Sequence, residues 1–306
     1  MPYTPHVWAP ADVLTVARMN NLETQYDESL ADSAGKGIFG DGSDGNVVTA
    51  GGGAGDVTLA RDMFYVDLTV TAGDTITTAG YRIFVRGTLT NNGTISNNGT
   101  DAVNDTQGVG GAEGTIGHKT DGTGAAVGAG AGGGAGGIML IAANILDNSG
   151  GVIECNGGAG GDAAGGAAAE GAGGNGGNVT HAFGGAGGDG GDTAADIGGT
   201  GGTATAPAAV EGGFRALPDA IHLYTRLGTR IEPGAGGASG AYDDIPDESG
   251  GGGGGGGGFI MLIYNIFISG TEQCLGGSGG AAFGGGGATA GSNGSAGTVI
   301  ELENIL

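Results

Sequence analysis

Apolar positions follow two different rhythms, with a change near residue 35. Before it, Val16, Met19, Leu22, Tyr26 and Leu30 recur at spacings of three and four behind Thr15, a residue suited to an N-cap. The spacing predicts a short helix with one apolar stripe, and Glu23, Asp27 and Glu28 lie elsewhere on its surface. A helix of roughly 15 residues is marginal alone, so the stripe needs a partner. Either it packs on its own domain, or it joins identical chains or a socket on a larger particle.

After Gly35 the rhythm turns to strands. Asp56–Ala60, Met63–Val70, Thr75–Thr78 and Tyr81–Thr90 are short β-branched or aromatic runs separated by Gly, Asp and Asn. A repeat then emerges. The segment Gly93-Thr-Ile-Ser-Asn-Asn-Gly99 returns as Gly151-Val-Ile-Glu-Cys-Asn-Gly157 and as Gly270-Thr-Glu-Gln-Cys-Leu-Gly276. Each copy follows a compact apolar strand: Ile83–Val85, Ile138–Ile141 and Ile260–Ile263. Thr298–Leu302 is a fainter fourth strand. Strand, polar turn, short strand and glycine turn form a unit that can stack. Stacking places Cys155 and Cys274 in one column, with their Cα atoms within disulfide range if their rungs are adjacent. The competing reading is a chance match between strand–loop pairs of an ordinary sheet.

Composition changes the picture between these strands. Glycine supplies 79 of 306 residues, against a usual share of about 7%. Most of it lies in four tracts, roughly 108–137, 157–202, 234–258 and 276–297. Flexible linkers favour serine and charge. These tracts favour alanine, lack proline from 108 through 206, and return directly to apolar strands. They are expected to be ordered, extended strands of polyproline-II type, which repeat every three residues and carry no internal hydrogen bonds. Their N–H and C=O groups must then pair with neighbouring segments. Ordering glycine costs roughly 0.5–1 kcal/mol per residue relative to Ala, a cost that dense hydrogen bonding has to offset. The expected fold class is all-β: a β-helix or solenoid-like body with glycine-rich insertions of polyglycine-II type and a short N-terminal helix. Its parts are 1–34, 35–107 and 108–306, the last carrying a distinct insertion at 207–248.

Charge and chemistry narrow the function. A formal charge of −23, from 32 acidic and nine basic residues, argues against nucleic acid and anionic membrane as partners. Two cysteines are too few for a disulfide framework. The start, Met1-Pro-Tyr-Thr-Pro-His-Val-Trp8, lacks the pattern of a secretory signal. The longest apolar run, Phe259–Ile268, contains Asn265 and falls short of the ~20 residues a spanning helix needs.

His6, His118, His181 and His222 are scattered without metal-ligand spacing, and no nucleophile elbow or phosphate loop is present. Asp243, Asp244, Asp247 and Glu248 could imitate a glycosidase carboxylate pair, but in a chain with 5% aromatics they read as a solvated loop. Gly187-Gly-Asp-Gly-Gly-Asp-Thr-Ala-Ala195 fits one calcium-binding nonapeptide, although a glycine-rich chain matches it by accident. Asp41-Gly-Ser-Asp-Gly45 is no stronger. The chain is therefore read as non-enzymatic, with no cofactor and no metal.

The run Trp8-Ala-Pro-Ala-Asp-Val-Leu-Thr-Val-Ala-Arg-Met-Asn-Asn-Leu-Glu23 resembles the opening segment of bacteriophage tail-fibre and tail-tip proteins. Gly40–Val47, Leu59–Tyr65 and Gly80–Ile95 look like a domain recurring in phage structural proteins, and the glycine tracts are similar to those of phage receptor-binding adhesins. The likeness covers most of the chain. It departs from those adhesins in placing an attachment-like helix and glycine tracts together.

The resemblance implies a virion fibre, a homotrimer joined at least through residues 15–30, bound to other tail proteins through its N-terminus and to a host-surface glycan or protein further out. Recognition favours Tyr and Arg over Gly and Ala. The candidate contact residues are therefore Phe214, Arg215, His222, Tyr224, Arg226, Arg230 and Tyr242, where large polar-tipped side chains concentrate. The other reading of 207–248 is a packing insert between rungs. Two rival functions remain: a tail-tip or capsid decoration protein without receptor binding, and a tailspike-like depolymerase.

Overall fold

The computed structural model describes residues 38–112, 114–116, 121–125, 129–164, 174, 176–177, 249–284 and 288–304. The 15–30 helix lies outside these, and so does the N-terminal segment as a whole. The described residues are strand-rich and contain no helix. Eleven strands follow one another: β1 (Gly45–Val48), β2 (Val57–Thr58), β3 (Met63–Val70), β4 (Thr75–Thr77), β5 (Ile83–Asn91), β6 (Thr94–Ser96), β7 (Ile138–Asp147), β8 (Val152–Glu154), β9 (Phe259–Ile268), β10 (Thr271–Gln273) and β11 (Thr298–Glu303).

Odd and even strands separate into two sheets. One runs β1-β3-β5-β7-β9-β11 and the other β2-β4-β6-β8-β10, and every neighbouring pair is parallel. The chain thus lays one long and one short strand at each pass and then advances by one position in both sheets. Position 108 interrupts neither, since β5 pairs with β7 and β6 with β8.

Between the sheets lies one apolar core. In it, Ile76, Ile95 and Ile153 stack in register on the short strands, and Leu68, Leu89, Leu146 and Phe267 stack on the long ones. The long strands carry a second apolar face on the opposite side, with Phe84, Leu140, Phe259, Met261 and Ile263 all buried. Residues 138–143 therefore read as an unbroken apolar run, as expected of a parallel strand covered on both faces. Phe64 and Phe84, register partners on β3 and β5, stack with ring centroids 5.0 Å apart on this side.

Asparagine continues the register at the turns between long and short strands. Asn91 and Asn148 are fully buried. Asn91 Nδ2 donates to Asn148 Oδ1 (2.7 Å), and Asn148 Nδ2 donates to Glu272 Oε1 (2.6 Å), joining three successive passes. In the first passes aspartates do similar work. Asp44, Asp62 and Asp67 each accept a backbone N–H from the next pass, from Phe64, Arg82 and Thr88 respectively.

Candidate functional site

The glycine segments between strands are ordered by hydrogen bonds that step by three residues, the repeat of a polyproline-II helix. Gly130, Gly133 and Gly136 donate to Gly250, Gly253 and Gly256 at 3.1, 3.0 and 2.9 Å. Ala131, Gly134 and Gly137 donate to Asn104, Thr100 and Asn97. The carbonyls of the same segment accept from Gly158 and Gly161, from Gly108 and Gly111, and from Gly174 and Gly177, while Gly132 also donates to Thr123. Segment 130–137 is therefore bonded on six sides, by 97–104, 108–111, Thr123, 158–161, 174–177 and 250–256. Segment 250–258 is bonded in the same manner to 289–295 and 277–280. Every residue of 130–137 and of 250–258 is buried.

Such packing leaves no room for a Cβ. One built on Gly255 would stand 2.5 Å from the Gly134 carbonyl carbon and nearer still to its oxygen. Alanine stands in the packed segment 130–137 at only two positions, the buried Ala131 and Ala135. Glycine supplies close approach here rather than flexibility.

At the rim of the lattice, where N–H groups run out of backbone partners, Asn and Asp side chains take over. Asn156 N–H donates to Asn98 Oδ1, Ala159 N–H to Asp101 Oδ1, Leu275 N–H to Asn156 Oδ1, and Ala281 N–H to Asp162 Oδ1, at 2.7 to 2.8 Å. Gly279 N–H donates to Asn293 Oδ1 at 2.9 Å. The rim residues Asn98 and Asp101, and Asn156 and Asp162, are separated by multiples of three. That spacing was a signal in the sequence which the search for strand repeats passed over.

The lattice has a near end and a far end. Gly137 leads directly into β7 and Gly258 into β9, so residues 130 and 250 lie at the end away from the sheets. With a rise of 3.1 Å per residue, 130–137 spans roughly 22 Å. At the far end Ser249 and Phe283 exchange backbone hydrogen bonds, at 2.9 and 3.0 Å. Phe283 keeps nearly half its side chain exposed there, at 45%.

Ser249 follows directly in sequence on the segment that carries the recognition candidates. Phe214, Arg215, His222, Tyr224, Arg226, Arg230 and Tyr242 themselves lie outside the described residues, as do Val16, Met19, Leu22, Tyr26 and Leu30. The nonapeptide 187–195 and the acidic run 243–248 lie outside them too.

Among the described residues no group of three or more His, Cys, Asp or Glu is arranged to hold a metal ion. In Asp41–Gly45, Asp44 is engaged internally. It pairs with Arg61 and accepts the Phe64 N–H at 2.7 Å, and the Arg61 guanidinium holds its carboxyl below the usual range. Asp74 is buried, and its carboxylate accepts N–H groups from Gly51, Gly53 and Gly55 at 2.6, 2.9 and 3.2 Å. The Thr49 hydroxyl and these amides keep its pKa low.

At the last passes, burial and then the charge of Glu272 push the Glu301 carboxyl up. Burial, followed by the charges of Glu301 and Glu303, raises the Tyr264 phenol. Cys155 and Cys274 are both buried with free thiols, one position beyond the register pair Glu154–Gln273. The sequence alignment of these two residues in one column therefore holds.

Comparison with protein-family models, with curated proteins and with solved structures finds no match.

Proposed function

We infer that the chain is a fibre or tip adhesin of a bacteriophage particle, whose two sheets form a parallel β-solenoid and whose glycine lattice is a rigid outward arm. In this reading the N-terminal segment faces the particle through the 15–30 stripe as a homotrimer, and the 207–248 insertion meets a host-surface glycan or protein. The observation that carries the reading is the position of Ser249, the residue that follows the insertion in sequence. Ser249, immediately after it, is bridged to Phe283 at the end of the lattice farthest from the sheets. A chain end at that position suits a segment that works away from the strands.

A fully bonded glycine body also suits an extracellular support. It offers proteases no loose backbone along 130–137 or 250–258, and it presents few side chains of its own for contact. An arginine-bearing surface on a chain of charge −23 is suited to anionic sugars or phosphates of a cell envelope.

The test is a double substitution, Tyr224→Ala with Arg226→Ala, in the full chain. Loss of binding to host cells and of competition with particle adsorption, with thermal melting intact, is the expected result. Normal binding moves the contact surface elsewhere. A parent chain that binds no cells, yet decorates particles by immunolabelling, favours the decoration reading instead.

A further inference from the structure

We propose that Cys155 and Cys274 form a redox-closed strap between two successive passes of the chain, open as thiols in a reducing compartment and closed as a disulfide in an oxidising one.

The placement follows from register. β8 and β10 are adjacent and parallel, with Thr271 opposite Val152, Glu272 opposite Ile153 and Gln273 opposite Glu154. The next position on each strand is a cysteine. Pairing continues through it, since Cys155 N–H donates to the Gln273 carbonyl at 3.0 Å and Gly157 N–H to that of Leu275 at 2.8 Å. Parallel neighbours lie about 4.8 Å apart, inside the Cα separation of about 4.4–6.8 Å that a disulfide accepts. Both side chains turn into the core between the sheets, so each sulfur faces the other rather than solvent. The two thiols are in contact, and burial followed by the neighbouring Cys274 sulfur pushes the Cys155 thiol up.

The two positions differ in access. Cys155 is fully buried between passes, whereas Cys274, one residue past the edge strand β10, keeps 4% of its surface exposed, and its thiol also reaches the Thr298 carbonyl at 3.5 Å on the far side. Oxidation therefore begins at Cys274. With a peroxide, the Cys274 thiolate attacks one peroxide oxygen. The S–O bond forms as the O–O bond breaks, leaving a sulfenic acid and hydroxide. The Cys155 thiolate then attacks that sulfur, so the S–S bond forms, the S–O bond breaks, and water leaves once the oxygen has taken up a proton. Two thiols are oxidised and one peroxide is reduced. Both steps need thiolate, so the raised thiol makes closure slow at neutral pH and faster as pH rises.

The consequence lies in what the strap encloses. Cys155 and Cys274 are 119 positions apart in sequence, and the loop between them contains the whole of 207–248. Long closed loops gain most from a cross-link in the chain-entropy account. A closed strap also holds the molecule together covalently if the insertion is cut. Reducing compartments keep such pairs open and oxidising ones close them, so the strap would close after the protein leaves the cell that made it.

The test uses the full chain, purified under reductant and then exposed to hydrogen peroxide at neutral and mildly alkaline pH. Denaturation with an alkylating reagent and intact-mass measurement follow. The expected product is a monomer lighter by two hydrogens that takes no alkyl group and melts at a higher temperature than the reduced chain. After a protease cut within 207–248, its fragments should separate on a denaturing gel only when reductant is added. The Cys155→Ser chain, treated alike, should gain neither the cross-link nor the rise in melting temperature. Two alkylated thiols after treatment at both pH values, higher sulfur oxides without a cross-link, or disulfide-linked dimers would each overturn the proposal.

Discussion

Replacing Gly255 by alanine places one methyl group where the lattice has no space for it. The added Cβ would stand 2.5 Å from the Gly134 carbonyl carbon and 3.0 Å from the Ala135 nitrogen, against an ordinary carbon contact of about 3.5–4.0 Å. Relief requires 250–258 and 130–137 to part by about 1 Å. Three hydrogen bonds join those segments, Gly130 to Gly250, Gly133 to Gly253 and Gly136 to Gly256. All of these residues are buried, so water does not replace what is lost.

At roughly 0.5–1.5 kcal/mol net for each bond, weakening three costs about 2–4 kcal/mol. Alanine returns about 0.5–1 kcal/mol by restricting the unfolded chain. The balance is a loss of about 1–3 kcal/mol, a fall in melting temperature of roughly 2–5 °C for a chain of this length. Differential scanning calorimetry of the variant beside Gly124→Ala measures it. Gly124 is the control because a Cβ there would meet only the Gln107 Oε1, at 3.7 Å. A Gly255→Ala chain that melts with the parent would refute the close-packed lattice and return these tracts to the status of linkers.

Three further outcomes are expected. Asn148→Ala removes the middle of the buried asparagine ladder and leaves the Asn91 amide with only the Val152 carbonyl, at 3.1 Å, as acceptor. Urea unfolding should show a loss of about 1–3 kcal/mol, and unchanged stability would mean the ladder is incidental. Asp44 and Asp74 have folded pKa values below their unfolded ones. The unfolded chain therefore binds more protons, and the stability these groups contribute is complete above about pH 4 and lost as pH falls through their folded values. Chemical unfolding across an acid pH series should show that fall, and a flat profile would contradict it. Sedimentation of the full chain should give a homotrimer that a chain lacking residues 1–34 does not form, and a monomer in both cases removes the 15–30 stripe as the joining element.

Much of the fold was legible because strand signals and turn residues alternate cleanly. Met63–Val70 is read from sequence with the bounds of β3, and the repeated short segments 93–99, 151–157 and 270–276 each contain one even strand, β6, β8 and β10. The cysteine column follows from that alignment. The order of the described glycine segments was legible from absence of proline and scarcity of serine, while most of 157–202 and all of 234–248 lie outside the described residues.

Other features were hidden. β1, Gly45–Val48, has only two apolar residues and gives no periodic signal. The repeat extends back to β1 and β2, but those passes are held by aspartates accepting N–H groups from the next pass, and a search for apolar similarity does not see carboxylates. The rim of Asn98, Asp101, Asn156 and Asp162 was missed because isolated Asx residues in glycine read as turn formers. Their function as caps is visible only once neighbouring segments are placed side by side.

The fibre reading stands on the claim that the glycine segments form one hydrogen-bonded body with the strands they lead into. Amide hydrogen exchange of the full chain tests this most directly. Residues 130–137 and 250–258 are buried, and most of their amides donate to backbone carbonyls of neighbouring segments, so these amides should exchange as slowly as those of β7 and β9. Exchange of these glycines at the rate of an unstructured peptide, while β7 and β9 stay protected, would contradict the account.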